Sequence, residues 1–142
     1  MVPFAAALVC PSRLVPDSAA ATILIVEDEP TVCELAAEML LDAGYRVLTA
    51  ADAWQAEAIL ARESVDMLFT DIDLARNTNG LALARRARDL CPDLPVVYTS
   101  GGRDGLPARD AVPSSVFVPK PYRPSHLVAL TRDVLNAAFL HA

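Results

Sequence analysis

The chain has 142 residues, 54% of them hydrophobic and 21% charged, with a formal net charge of −6. That length holds one domain with a substantial core, and the composition is that of a folding chain rather than a disordered one. An acidic balance argues against a nucleic-acid backbone or an anionic membrane as main partner, and no run reaches the roughly 18 apolar residues of a membrane span.

Three cysteines, Cys10, Cys33 and Cys91, are an odd number without metal-ligand spacing and are expected to be reduced thiols of a cytoplasmic protein. The opening Met1-Val2-Pro3-Phe4 lacks the basic region of a signal peptide, and Pro3 falls where its apolar stretch should begin. Residues 1–21 are expected to be a flexible extension, with a single domain over residues 22–142.

From Thr22 the pattern is regular. Ile23-Leu24-Ile25-Val26, β-branched at three of four positions, predicts a strand buried on both faces. Pro30 suits the first position of a helix, and Val32, Leu35, Ala36, Met39 and Leu40 follow at helical spacing before Gly44 stops it. Arg46–Thr49 predicts a second strand. Asp52 can cap the next helix, whose inner side carries Ala56, Ile59 and Leu60.

Val65–Thr70 predicts a third strand, ending in Asp71-Ile72-Asp73. A polar loop, Arg76–Gly80, leads into a helix with Leu83, Ala84, Ala87 and Leu90 on one side, ended by Pro92. Pro95–Tyr98 predicts a fourth strand, closing at Thr99-Ser100-Gly101-Gly102. Gly105, Pro107 and Pro113 make any helix in 103–113 short and irregular. Val116–Val118 predicts the fifth strand, and a last helix runs from about Ser125 to Phe139 with Leu127, Leu130, Val134 and Ala138. Strands alternating with helices in this way predict an α/β fold, a doubly wound five-stranded parallel sheet.

Sites in such sheets form at the carboxyl ends of strands, beside a topological switch point. Here those ends carry Glu27-Asp28, Asp71, Ser100 and Lys120. Crowded carboxylates repel unless a cation joins them, and hard oxygen ligands suit Mg²⁺ (or Mn²⁺). A lysine and a hydroxyl at the same point supply what the oxygens of a phosphoryl group need. Lys120 is the only lysine among twelve basic residues, which points to a need for a compact charge there.

Over residues 22–140 this constellation resembles the receiver domain of bacterial response regulators. The resemblance is carried by Ile25-Val26-Glu27-Asp28-Glu29-Pro30, Leu68–Asp73, Pro95–Gly101 and Val118-Pro119-Lys120-Pro121-Tyr122. It implies the flavodoxin-like (βα)5 receiver fold and a single-domain response regulator of a two-component or phosphorelay system. Asp71 would take a phosphoryl group from a histidine kinase or histidine phosphotransfer protein, forming an aspartyl phosphate. Asp28, Asp71 and the backbone carbonyl of Asp73 would hold the metal, with Glu27 acting through coordinated water. Lys120 would pair with the acids at rest and with the phosphoryl oxygen afterwards. Ser100, five positions after Pro95, would bond the phosphoryl group. Phe117 would be the switch aromatic, reshaping a surface for a downstream target protein. Output through protein contact or onward phosphotransfer is expected, with neither nucleic acid nor membrane as partner.

The chain departs from the common pattern at Ala75, where proline is frequent, and in a loop one residue longer. Two other readings stay open. Asp71-Ile72-Asp73 also fits the nucleophile and acid/base pair of haloacid-dehalogenase-type phosphatases, although there the metal-binding acidic pair lies downstream rather than upstream. A pseudo-receiver that binds partners without phosphorylation is the third. Trp54 and the Arg85, Arg86, Arg88 group are expected to be ordinary surface residues, and His126 and His141, without ligand partners at useful spacing, are not expected to be catalytic.

Overall fold

Five short segments rich in β-branched residues pair into one parallel sheet in the order β2-β1-β3-β4-β5. The computed structural model describes residues 20–140, so the reading of the first residues as an extension lies outside the described residues. The strands are β1 (Thr22–Val26), β2 (Arg46–Ala50), β3 (Met67–Asp71), β4 (Val96–Ser100) and β5 (Ser115–Pro119). The helices are α1 (Pro30–Asp42), α2 (Ala53–Arg62), α3 (Gly80–Leu90) and α4 (Pro124–Leu140). The chain moves outward from β1 to β2, then crosses back to place β3 on the other side of β1. The crevice this creates lies at the carboxyl ends of β1 and β3.

Every residue of β1, β3 and β4 is buried, as a parallel sheet covered on both faces requires. Alternate side chains feed two cores. Leu24, Val26, Leu68, Val96 and Tyr98 pack with Ala53 and Ala56 of α2 and with Leu83, Ala84 and Ala87 of α3. Ile23, Ile25, Met67, Phe69, Val97 and Val118 pack with Ala36 and Leu40 of α1 and Leu127 of α4. Each fully buried Leu or Ile contributes roughly 2–3 kcal/mol relative to exposure, so these layers dominate the stability.

Local chemistry sets the helix boundaries. Asp52 accepts a hydrogen bond from the Gln55 N–H at 2.9 Å and starts α2, while Asn79 accepts from the Leu81 N–H at 2.6 Å and starts α3. Pro30 opens α1, and Gly44, at a φ of 101°, follows its end in a conformation that disfavours side chains.

Two details correct the sequence reading and a third agrees with it. The stripe of α1 is rotated: Cys33, Ala36, Ala37 and Leu40 face the core, whereas Leu35 is 49% exposed. Leu90, placed on the inner side of α3, is 54% exposed, and Cys91 is buried in its stead. Between β4 and β5 there is no α-helix. Turns fill residues 101–114, one of them closed by the Asp110 N–H donating to the Pro107 carbonyl at 2.9 Å. Prolines at 107 and 113 and glycines at 101, 102 and 105 are physical reason enough.

Cys33 is the free cysteine among the described residues, and Cys10 lies outside them. Cys91 is buried in the α2/α3-side core. Among the described residues no helix is long and apolar enough to cross a membrane.

Candidate functional site

β1 delivers Glu27 and Asp28 just beyond its last residue, and β3 ends in Asp71. Because Val26 pairs with Thr70 in the β1–β3 register, Glu27 and Asp71, the residues next after that pair, emerge side by side. Glu27, Asp28 and Asp71 offer carboxylate oxygens that all lie within 4.8 Å of one another. Glu27 and Asp71 are buried, while Asp28 is exposed.

Lys120 arrives from the far end of β5, one residue after the strand ends. Its Nζ lies 2.6 Å from Glu27 Oε1 and 2.8 Å from Asp71 Oδ2. The Glu29 N–H donates to the other Glu27 oxygen at 3.2 Å, and the Asp73 N–H donates to Asp71 Oδ1 at 3.3 Å. Both buried carboxylates are therefore fixed at both oxygens, leaving them little rotational freedom. Asp73 itself is exposed.

The electrostatics follow from burial. Desolvation pushes the Glu27 carboxyl above its ordinary value, Asp71 adds to the rise, and the Lys120 and Glu29 hydrogen bonds oppose it. Burial by itself would lower Lys120, but hydrogen bonds to Asp71 and Glu27 outweigh it and hold the ammonium well above the ordinary lysine value. Tyr122 closes the site on the α1/α4 side, its ring edge-on to Phe69 at 5.6 Å. Burial, reinforced by Glu27, pushes its phenol up to about 12.

One ammonium against three carboxylates leaves an excess of negative charge, and the donor set is hard oxygen throughout. Both properties fit a small divalent cation such as Mg²⁺, which takes one or two carboxylates and keeps several waters.

Ser100 and Phe117 lie along the neighbouring strands. Ser100 is fully buried, and its Oγ accepts a hydrogen bond from the Gly102 N–H at 3.2 Å. The adjacent Thr99 hydroxyl is also buried but has no hydrogen-bond partner. Phe117 is half-buried, packed against the α2/α3-side core, and in register with Tyr98. The structure thus brings Glu27, Asp28, Asp71 and Lys120 together, with Ser100 at the adjoining strand end and Phe117 farther back on β5.

Sequence reasoning missed four contributors. Gly80 starts α3 against the carbonyl of Asp71, where an added Cβ would lie 2.1 Å from that oxygen, so any side chain is excluded. A glycine directly after a potential N-cap asparagine was a signal for this. Tyr98 is fully buried, and its hydroxyl accepts a hydrogen bond from the Val112 N–H at 3.1 Å. Arg76 and Thr78 reach from the loop after β3 to the start of α2; nothing in their spacing announced this.

Comparison with known proteins agrees with this geometry. The response regulator receiver domain family matches residues 23–132. The phosphate regulon transcriptional regulatory protein PhoB of Pseudomonas aeruginosa is 35% identical over 119 residues, covering 81% of this chain and 52% of that protein. The nitrogen assimilation regulatory protein NtrX of Azorhizobium caulinodans is 36% identical over 117 residues, covering 80% of this chain and 26% of that protein. The chain therefore matches about half of one relative and a quarter of the other. A receiver protein from Sinorhizobium medicae of known crystal structure superposes with a TM-score of 0.79 at 32% identity, covering 84% of this chain and 97% of that one. The chain belongs to the response regulator receiver domain family.

Proposed function

We propose that this chain accepts a phosphoryl group on Asp71 from a phosphohistidine of a histidine kinase or phosphotransfer protein, and that the modification switches a protein-interaction surface. The observation that carries the reading is the shared position of the Asp71 carboxylate, paired with Lys120 and set among Glu27 and Asp28. A carboxylate oxygen of Asp71 attacks phosphorus, the phosphorus–nitrogen bond breaks, and its electron pair leaves with the imidazole. Mg²⁺ held by Asp28, Asp71 and the Asp73 carbonyl, with Glu27 reached through water, would neutralise charge on the phosphoryl oxygens.

The remaining steps belong to the chain's own groups. Lys120 would exchange its hydrogen bond to Asp71 for one to a phosphoryl oxygen. Glu27, retained by Lys120 and the Glu29 N–H, keeps that ammonium at the site. Ser100, whose oxygen accepts from the Gly102 N–H at rest, can donate its own proton to the phosphoryl group. Movement of Ser100 would carry to Phe117 and to the surface formed by β5 and residues 101–114. A protein rather than nucleic acid as target agrees with the net charge of −6, while PhoB, matched over half its length, is named as a transcriptional regulator. A cytoplasmic location goes with this reading.

The test is incubation with acetyl phosphate and Mg²⁺, followed by intact mass measurement. The wild type should gain one phosphoryl group, and neither Asp71→Asn nor the wild type with chelator should gain any. An unmodified wild type would leave the pseudo-receiver reading. Sustained turnover of p-nitrophenyl phosphate would favour the phosphatase reading, in which Asp73 rather than a partner protein completes the reaction.

A further inference from the structure

The loop of residues 72–79 begins and ends against Asp71. The Gly80 N–H donates to the Ile72 carbonyl at 2.7 Å, and Asp73 bridges to Asn79. Its outer half is bound to a different element. Arg76 Nε lies 3.2 Å from Asp52 Oδ2, and the Ala53 N–H donates to Thr78 Oγ1 at 3.2 Å. Thr78 also closes the loop on itself, its hydroxyl donating to the Ala75 carbonyl at 2.7 Å.

Two consecutive non-glycine residues here, Arg76 and Asn77, have φ of 60° and 55°. Left-handed backbone at such residues is strained, so this loop shape must be held by contacts. Asp52 is the contact best suited to hold it. It is 2% exposed, and its second oxygen already accepts the Gln55 N–H that caps α2. One buried carboxylate thus joins the start of α2 to the loop that carries Asp73.

We propose that Asp52 and Arg76 are positioning residues for the divalent cation. By tying residues 72–79 to α2, they keep the loop that bears the Asp73 carbonyl in one conformation before metal arrives, so that binding incurs little ordering cost. This rests on reading the Glu27, Asp28 and Asp71 cluster as the metal site. The ion pair adds little to the fold itself, because the Arg76 side chain is 70% exposed and such pairs are weak. Its effect therefore falls on metal affinity.

The test is a Mg²⁺ titration of the full chain followed by amide NMR, with denaturant midpoints taken in the absence of metal. Arg76→Ala should weaken Mg²⁺ binding about threefold, as suits a weak exposed pair, while its metal-free midpoint stays close to that of the wild type. Asp52→Asn should weaken it similarly, since asparagine caps a helix as well as aspartate but brings no charge. The double variant should bind no more weakly than either single one, as expected of two groups acting through one contact. Equal affinity in Arg76→Ala and wild type, with binding lost in Asp28→Asn, would overturn the clamp and leave the metal site standing. A loss of affinity matched by an equal loss of metal-free stability would overturn it too. Wild type that does not bind Mg²⁺, or Asp28→Asn that binds as well as wild type, would remove the underlying metal reading itself.

Discussion

The two loops that follow the central strands are built on different principles. Residues 72–79, after β3, are anchored through side chains: a buried carboxylate, a threonine hydroxyl and an asparagine cap hold them, and Leu74 sits in the core. Residues 101–114, after β4, contain no helix and are tied down chiefly by their own backbone. The Val112 N–H donates to Tyr98, the carbonyl of Asp110 accepts from Arg85, and that of Ser114 accepts from Arg88. Most of the second loop is exposed or half-buried, with Val112 its buried anchor. In the proposed switch, the first loop serves chemistry, which needs fixed ligands, and the second serves output, which needs a surface that can rearrange.

The sharpest way to break this contrast is to disturb the fixed loop at its root. Gly80→Ala places a methyl group on the Asp71 carbonyl, which cannot move without disrupting the end of β3. A loss on the order of 3 kcal/mol is expected from such overpacking, read as a lowered denaturant midpoint at unchanged slope. An alanine variant as stable as wild type would show that the close approach of α3 to Asp71 is not required.

Tyr98→Phe probes the looser loop. It removes the hydroxyl and leaves the buried Val112 N–H without a partner, at a cost of about 1–2 kcal/mol. If the loop opens locally, the Val112 amide should exchange about tenfold faster while amides of β1 and β3 keep their protection. Uniform loss of protection across the sheet would mean that the two loops are not separate units.

Least in size is the effect of Tyr122→Phe, which bears on the boundary of the acid pocket. Burial and Glu27 disfavour the phenolate in the folded state, so the unfolded chain gives up this proton at a lower pH than the folded one. The stabilising contribution is complete below the ordinary tyrosine value of 10.0 and is lost as pH rises towards about 12. Denaturant midpoints above pH 10 should therefore fall less steeply in the phenylalanine variant than in wild type, with no difference near neutrality.

Much of this molecule is legible in the chain because parallel strands leave a strong mark. Runs such as Ile23–Val26 and Val65–Thr70 admit few other interpretations, and in a parallel sheet whatever follows the strand arrives at a common edge. That is why the sequence alone groups Glu27, Asp71 and Lys120. The side chosen by α1 was not legible. Between Val32 and Leu40 seven residues are apolar, enough for more than one stripe, and packing with α4 decided for Cys33 and Ala37 over Leu35. Nor could local patterns give the Arg76–Asp52 tie, which joins residues 24 positions apart through an exposed side chain. Leu90 failed for a simpler reason. It is the last residue of its helix, where periodicity no longer constrains which way the chain turns.

The salt bridges of Lys120 bear on covalent chemistry of another kind. Because the sequence contains a single lysine, an acyl donor that seeks side-chain amines finds one target in the whole polypeptide. That amine is clasped by Glu27 and Asp71 and held in its protonated, non-nucleophilic form. The acid cluster thereby shields the residue whose neutralisation would most directly unbalance it.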